Sequence, residues 1–206
     1  YGIHFLLLCF LLYFNVGSAQ PKTYCNPMNL DYGYITIPNF TQWGKHRATA
    51  DPVIVTKDGT YFLFSTNQYG YWWSRDMKQW NFIHREFLKP YHKVYDELCA
   101  PAAVFVGDTL LLIGSTYSKN FPLWMSTNPT VDDWKEAVDS FQVGAWDPSL
   151  FLDDDGRLYI YFGSSNVHPL YGQEIDRKTW QPIGEKKDMI SLHDDIHGWE
   201  RFGEHA

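Results

Sequence analysis

Residues 50–65 contain the runs Ala50-Asp51-Pro52-Val53-Ile54-Val55 and Tyr61-Phe62-Leu63-Phe64-Ser65, separated by the pair Asp58-Gly59. Two similar units follow. The second unit holds Ala100-Pro101-Ala102-Ala103-Val104-Phe105-Val106, Gly107-Asp108 and Leu110-Leu111-Leu112-Ile113-Gly114-Ser115. The third holds Asp147-Pro148-Ser149-Leu150-Phe151-Leu152, Asp155-Gly156 and Leu158-Tyr159-Ile160-Tyr161-Phe162-Gly163-Ser164. Because Pro52, Pro101 and Pro148 lie 49 and 47 residues apart, the chain carries a repeat of about fifty residues.

Each repeat unit predicts a strand, a tight turn, a second strand and then one or two more strands. The flanking runs are rich in β-branched and aromatic residues, and Asp58-Gly59 and Asp155-Gly156 are typical of two-residue hairpin turns. Several short strands per unit of about 48 residues predict an all-β β-propeller with one four-stranded blade per unit. A β-sandwich or a flat meander is the alternative. Since a propeller ring closes with about 4–8 blades, three units between residues 44 and 190 predict an amino-terminal piece of a longer chain.

Composition limits the possible functions. Of the 206 residues, 45% are hydrophobic and 18% aromatic, which excludes an intrinsically disordered chain. The formal net charge is −7, and no basic cluster is present to neutralise phosphates, so we expect no nucleic-acid partner. The aromatic content fits an all-β protein and one that handles the apolar faces of sugars.

The first residues predict export. Ile3 to Phe14 is apolar apart from His4, and small residues at Gly17 and Ala19 suit cleavage before Gln20. We therefore interpret residues 1–19 as an amino-terminally truncated signal peptide and residues 20–43 as a leader or closing-strand segment. The run is shorter than the roughly 20 residues of a membrane span, so a secreted or periplasmic protein is expected, with no membrane contact after cleavage. A buried core element is the alternative.

Two cysteines remain after cleavage. Cys25 and Cys99 allow one disulfide, but free buried thiols are equally compatible with the sequence. Asn39-Phe40-Thr41 is a glycosylation sequon.

Two aspartates are the candidate catalytic groups. Asp51 and Asp147 each stand directly before the proline of their unit, and Ala100 takes the equivalent position in the middle unit. The innermost strands of propeller blades begin around one channel mouth, so these carboxylates should converge. Paired carboxylates are what glycoside hydrolysis requires. The alternative interpretation is that Asp-Pro merely starts a turn.

These residues resemble glycoside hydrolase family 43. The resemblance covers most of 44–204 and is carried by the following segments: Ala50-Asp51-Pro52-Val53, Ala100-Pro101, Trp146-Asp147-Pro148-Ser149-Leu150-Phe151, Asp153-Asp154-Asp155-Gly156-Arg157-Leu158-Tyr159, Ser74-Arg75-Asp76-Met77-Lys78-Gln79-Trp80 and Gln173-Glu174-Ile175-Asp176. It implies a five-bladed β-propeller, of which residues 44–206 supply about three blades and the start of a fourth.

The resemblance also implies a reaction. Members of the family hydrolyse arabinan, xylan and related plant polysaccharides with inversion, which makes a polysaccharide or oligosaccharide the expected partner. Asp51 corresponds to the general base and Asp147 to the aspartate that modulates the pKa of the general acid. The acid, a Glu, is expected beyond Ala206, so the 206 residues alone should be inactive. No cofactor is implied, and the ligands of a structural calcium at the propeller axis would lie outside this piece.

Substrate-binding candidates flank the aspartates. Adjacent strand residues point to opposite faces, so one ring of the pair Trp72-Trp73 should face outward, and Trp146 precedes Asp147. His46 and Arg47 precede the first Asp-Pro and could contact sugar hydroxyls. For each aromatic, packing between blades is the alternative.

Other chemistry is less well supported. His193-Asp194-Asp195-Ile196-His197 has residue types that bind metals but not the spacing of a zinc helix, and fits a polar loop better. A propeller that binds carbohydrate without cleaving it is the alternative function. The related fructan hydrolases need a Trp-x-Asn before the aspartate, and Ala48-Thr49-Ala50 disfavours them.

Overall fold

A computed structural model of the chain describes residue 30 and residues 50–66, 69–90, 96–116, 121–141, 146–163, 169–193 and 195–198. The predicted signal peptide, the segment 20–43 (apart from Leu30), Cys25, the sequon, His46 and Arg47 lie outside the described residues. Within the described ranges all regular structure is β-strand, which confirms the all-β prediction. None of the described residues forms a helix that is long and apolar enough to cross a membrane.

In the described part of the chain, twelve strands form three four-stranded antiparallel sheets. Sheet I contains β1 (Val53–Lys57), β2 (Thr60–Phe64), β3 (Gly70–Ser74) and β4 (Asn81–His84). Sheet II contains β5 (Cys99–Val106), β6 (Thr109–Ser115), β7 (Phe121–Ser126) and β8 (Lys135–Phe141). Sheet III contains β9 (Ser149–Leu152), β10 (Leu158–Phe162), β11 (Leu170–Ile175) and β12 (Pro182–Ile190). In every sheet the strands are paired in chain order, so each sheet is one sequence repeat.

The first hairpin has the predicted geometry and the third does not. Asp58 and Gly59 join β1 to β2 with φ angles of 48° and 72°, as a two-residue turn with positive φ at both positions requires. Between β9 and β10, the Gly156 N–H donates instead to the Asp153 carbonyl at 2.8 Å, and Gly156 has φ 83°. This is a turn followed by one left-handed residue, the arrangement of a longer hairpin loop, so the two-residue prediction for Asp155-Gly156 is corrected.

Two apolar layers hold the three sheets together. Strand β6 supplies both layers, because successive strand side chains point to opposite faces. Leu110 and Leu112 pack against sheet I, and Leu111 and Ile113 pack against sheet III; all four are essentially fully buried. Sheet II is therefore covered on both faces, and its strand reads as a continuous apolar run rather than an alternating one.

Aromatic rings dominate the layer between sheets I and II. The Trp134 ring meets Phe64, Tyr71 and Phe87 edge-on, with ring centroids 5.2–5.9 Å apart. The Tyr71 hydroxyl crosses from sheet I and donates to the Pro129 carbonyl at 2.9 Å. Edge-to-face pairs add to the energy of simple burial, so a share of the aromatic content serves packing between sheets.

The three sheets, each formed by one sequence repeat, pack side by side through their first strands. The first strands β1, β5 and β9 contact each other in that order, with β5 between the other two. Lys57, at the end of β1, reaches across to the β5–β6 turn, where its ammonium donates to the Gly107 carbonyl at 2.7 Å. The beginnings of the three first strands therefore lie together at the opposite end.

Candidate active site

The beginnings of β1, β5 and β9 form one cleft of about 470 Å³. It is lined by Asp51, Pro52 and Val53 from the first repeat, Ala100, Pro101, Ala102 and Ala103 from the second, and Asp147, Pro148, Ser149 and Leu150 from the third. The two aspartates that were predicted to converge both line this cleft. The lining is apolar apart from the two carboxylates, Ser149 and backbone groups.

The three equivalent residues at these strand starts share an uncommon backbone conformation. Asp51, Ala100 and Asp147 have φ angles of 49°, 41° and 45°. A residue before proline normally adopts an extended conformation, and the left-handed region costs a non-glycine residue roughly 1–2 kcal/mol. A short polar side chain relieves part of this cost by local hydrogen bonding, but Ala100 has none. The conformation is therefore imposed by the packing of the repeats and not by residue type.

Hydroxyl side chains accept hydrogen bonds from backbone N–H groups at two of these left-handed residues, the kinks of the strand starts. The Ala100 N–H donates to the Thr66 Oγ1 at 2.8 Å, and the Asp147 N–H donates to the Ser115 Oγ at 2.7 Å. Thr66 follows β2 and Ser115 ends β6, so each hydroxyl belongs to the sheet that precedes the kink. The same bond thus ties each sheet to the next at the cleft.

The Asp51 carboxylate has a fixed partner. Thr66 Oγ1 donates to Asp51 Oδ2 at 2.6 Å, and the Thr66 N–H donates to the Ala50 carbonyl at 2.9 Å. An equivalent backbone bond joins the Gly163 N–H to the Trp146 carbonyl at 2.9 Å beside Asp147. The strand start and the end of the second strand are therefore connected in the same way in sheets I and III.

The charge of Asp51 acts on a second acidic group, Glu97. Partial burial raises the pKa of Glu97, a hydrogen bond with Cys99 opposes this shift, and the negative charges of Asp96 and Asp51 add to it. Burial also raises the pKa of the Cys99 thiol, and neighbouring Glu97 acts in the same direction. Cys99 is a free cysteine that stays protonated at neutral pH, so it lacks the thiolate that a nucleophile needs.

The predicted sugar-stacking residues separate into two groups. Trp146 precedes Asp147 at the cleft and is 39% exposed. Trp72 is only 2% exposed and packs on Phe82, with ring centroids 5.4 Å apart. Trp73 packs against the aromatic layer between sheets I and II. Neither ring of the Trp72-Trp73 pair lines the cleft, and both occupy packing positions because the strand that carries them is β3, two strands away from the cleft.

Metal binding finds little support among the described residues. No three His, Cys, Asp or Glu side chains of that part of the chain are grouped to hold an ion. The His193 carbonyl accepts from the N–H groups of Ile196 and His197.

Three residues near the cleft had not been singled out from the sequence, namely Thr66, Glu97 and Ser115. Thr66 and Ser115 occupy the same position of the repeat, seven residues after the Gly59 turn and eight after Gly107. A comparison of the repeats beyond the Asp-Pro pairs would have shown a hydroxyl at both. Glu97 lies three residues before Ala100, and no acidic residue stands three residues before Asp51 or Asp147, so the repeat gives no signal for it.

Repeated four-stranded sheets that bring two aspartates to one cleft are typical of glycoside hydrolases of the propeller type. The family model described as Glycosyl hydrolases family 43 matches residues 45–200. The chain belongs to this family. Comparison with curated protein sequences finds no match.

Solved structures share the fold of this chain. An exo-1,5-α-L-arabinanase from a bovine ruminal metagenomic library is 27% identical with a TM-score of 0.51, over 68% of this chain and 55% of that chain. An α-L-arabinofuranosidase from Clostridium thermocellum is 19% identical with a TM-score of 0.57, over 71% and 58%. A family 43 endo-arabinanase from Bacillus licheniformis is 20% identical with a TM-score of 0.52, over 75% and 58%. The chain spans 38–58% of the length of the first solved chains that it matches.

Proposed function

We propose that the protein containing this chain hydrolyses O-glycosidic bonds of arabinan- or xylan-type plant polysaccharides with inversion at the anomeric carbon. The observation that carries the proposal is the presence of Asp51 and Asp147 at equivalent strand starts of one cleft in a family 43 chain. The names of the similar solved structures, an arabinanase and an arabinofuranosidase among them, favour an arabinose-containing substrate.

Asp51 is assigned the role of general base. In an inverting enzyme an ionised carboxylate takes a proton from the water that attacks the anomeric carbon, while a carboxylic acid protonates the leaving oxygen from the other side. Asp51 is exposed to the cleft and hydrogen-bonded through one oxygen, which suits a base that must meet water.

Asp147 is assigned an indirect role. A second carboxylate near a general acid raises the proton affinity of that acid and so keeps it protonated until it is needed. None of the cleft-lining residues described is a Glu, and we therefore assign the acid to a Glu outside the described part of the chain. Trp146, and outside the described residues His46 and Arg47, are proposed to contact the sugar.

The remaining features of the proposal follow the family. We propose a five-bladed propeller to which sheets I–III contribute three blades, a secreted protein, and a reaction that requires no cofactor. The three sheets packed in chain order around the first strands support the blade arrangement. A closed ring would complete the cleft with residues from the other blades.

The test uses the complete protein that contains this chain. Asp51→Asn is compared with Asp58→Asn, because both aspartates flank β1 and have nearly the same φ, 49° and 48°. Asn tolerates this backbone region, so both variants should fold. We expect Asp51→Asn to lose about 10²–10⁴-fold in kcat on arabinofuranosyl or xylosyl substrates, the usual size of a general base contribution. Asp58→Asn should keep the wild-type rate.

The anomeric product and the binding of substrate complete the test. Proton NMR of the first turnover should show the anomer opposite to that of the substrate. Normal turnover by Asp51→Asn would refute the role of Asp51, and retention of configuration would refute inversion. A wild-type protein that binds arabinan or xylan but cleaves none of the substrates would favour a carbohydrate-binding propeller instead.

A further inference from the structure

Thr66 makes three short hydrogen bonds that connect the candidate base to two sheets. Its N–H donates to the Ala50 carbonyl, at 2.9 Å, which fixes the end of β2 against the residue before Asp51. Its hydroxyl lies 2.6 Å from Asp51 Oδ2 and 2.8 Å from the Ala100 nitrogen. One side chain therefore contacts the base on sheet I and the kink that opens sheet II.

The direction of the two hydroxyl bonds is determined by their partners. A backbone N–H can only donate, so the Thr66 oxygen must accept from Ala100. The hydroxyl carries a single proton, and an ionised carboxylate can only accept, so that proton points to Asp51 Oδ2. The amide of Ala100 thus fixes the orientation of the Thr66 hydroxyl, and the hydroxyl in turn fixes one oxygen of the Asp51 carboxylate.

The repeat provides an internal comparison. Ser115 stands at the same position of sheet II and accepts from the Asp147 N–H at 2.7 Å, so the bond to the next sheet is present there too. The residue at the strand start of its own sheet is Ala100, which has no carboxylate to receive a proton. In sheet III the residue eight positions after the Gly156 turn is Ser164, which lies outside the described residues. Of the two hydroxyls that the structure describes at this position, that of Thr66 combines the bond between sheets with a bond to a carboxylate.

The hydrogen bond from Thr66 opposes the charge repulsion that acts on Asp51. Asp51 lies close enough to Glu97 for its charge to act on that group, and Asp96 lies beside Glu97. An exposed aspartate has several accessible rotamers, and repulsion favours those that lengthen the distance between its carboxylate and that of Glu97. A short hydrogen bond to one carboxylate oxygen opposes that movement.

We propose that Thr66 is a positioning residue for the base, and this inference rests on the proposed hydrolase function. Thr66 holds Asp51 Oδ2, so that Oδ1 is the oxygen presented to the attacking water. The same hydroxyl accepts from the Ala100 N–H, so the orientation of the Asp51 carboxylate depends on how sheet II packs against sheet I. The function of the cleft is in this way coupled to the contact between two repeats.

The test compares Thr66→Val, Thr66→Ser and Ser65→Ala in the complete protein. Val matches threonine in shape but neither donates nor accepts, whereas Ser keeps the hydroxyl. Ser65→Ala is the matched control, because the Ser65 hydroxyl donates to the Ala50 carbonyl at 3.1 Å in the same segment but is not bonded to Asp51. Initial rates give kcat and KM separately, and thermal unfolding reports folding.

We expect Thr66→Val to lower kcat by about 10- to 100-fold with KM within about twofold, because misplacing a catalytic group affects the reaction step more than binding. Thr66→Ser should recover to within about threefold of the wild-type kcat, and Ser65→Ala should retain it. The amide resonance of Ala100 in a ¹⁵N–¹H spectrum should move in Thr66→Val and return in Thr66→Ser.

The outcomes separate this inference from the proposed function. If the wild-type protein cleaves no glycosidic substrate, the proposed function fails first. If the wild type is active and Thr66→Val has the same kcat, the positioning role is wrong. If the valine variant loses activity but Thr66→Ser is not restored, or Ser65→Ala loses as much, Thr66 has a merely structural role and the inference is overturned.

Discussion

Tyr71 allows a quantitative test of how sheets I and II are joined. Its side chain is fully buried in the aromatic layer, and its single hydroxyl proton faces two carbonyl acceptors, Pro129 at 2.9 Å and Val131 at 3.2 Å. Tyr71→Phe removes one oxygen atom and keeps the ring, so the packing with Phe64 and Trp134 is preserved. The substitution therefore isolates the hydrogen bonds from the hydrophobic contacts.

The expected cost follows from the two acceptors. A net hydrogen bond contributes about 1 kcal/mol, and a buried carbonyl left without a donor costs about 1–3 kcal/mol. Pro129 is buried, so its carbonyl incurs this cost, whereas Val131 is 50% exposed and water can replace the lost donor. We expect Tyr71→Phe to lower the free energy of unfolding by about 2 kcal/mol at neutral pH.

The pH dependence of this difference provides a second readout. Burial raises the pKa of Tyr71 above that of a tyrosine in the unfolded chain. Stability from such a group is complete below the unfolded pKa and is lost as the pH rises from there towards the folded pKa. Phenylalanine has no such loss. The advantage of Tyr71 should therefore shrink by about 1.4 kcal/mol for each pH unit above about 10.

Urea unfolding followed by tryptophan fluorescence, at about pH 8 and at about pH 11, measures both effects. Tyr69→Phe is the control, because Tyr69 directly precedes β3, its ring stacks on the exposed His84, and the loss of its hydroxyl should change stability by less than about 0.5 kcal/mol. If Tyr71→Phe costs no more than Tyr69→Phe, the hydroxyl does not join the sheets. If its cost is the same at both pH values, the assigned burial of the hydroxyl is wrong.

Two further predictions concern a glycine and a glutamate. Gly70→Ala should prevent folding or cost more than about 3 kcal/mol in urea unfolding, because its φ is 155° and an added Cβ would lie 2.0 Å from the Ile83 carbonyl oxygen. Gly59→Ala, with φ 72° and open space, should cost only about 1 kcal/mol, and equal costs would contradict the assigned packing. Glu97→Gln should stabilise the protein at neutral pH and lose this advantage below about pH 4, because burial raises the pKa of Glu97 and penalises its charged form. A variant that is less stable than the wild type at neutral pH would show that the charge is compensated.

The sheets could be predicted from the sequence because their signals are local. Runs of β-branched and aromatic residues, separated by turn residues at a constant period, predict strands that pair in chain order, and the described ranges contain twelve such strands in three sheets. The convergence of Asp51 and Asp147 could be predicted for the same reason, since equivalent positions of equivalent repeats lie at the same end. The number of blades in the closed ring stays a prediction.

The contacts between sheets could not be predicted because they leave no local signal. Thr66 and Ala100 are 34 residues apart, and Ser115 and Asp147 are 32 apart, so each bond depends on how two finished sheets are seated. The exposure of Trp72 or Trp73 could not be predicted either. Alternation along a strand means that two neighbours face opposite ways, but it does not mean that either face is exposed. Trp72 is 2% exposed, and Trp73 packs on the aromatic layer.

The backbone at the cleft explains why the proposed catalysis should depend on these contacts. Ala100 adopts φ 41° without a polar side chain to stabilise it, at a cost of roughly 1–2 kcal/mol that a strand start in isolation would avoid by relaxing to an extended conformation. In this conformation its N–H donates to Thr66, and the same hydroxyl donates to the Asp51 carboxylate. A rearrangement of this strand start that moved the Ala100 N–H would therefore release the hydroxyl that holds the proposed base. The alanine in the middle repeat thus has a function that its side chain does not show, since its amide holds the hydroxyl that orients the carboxylate of the neighbouring sheet.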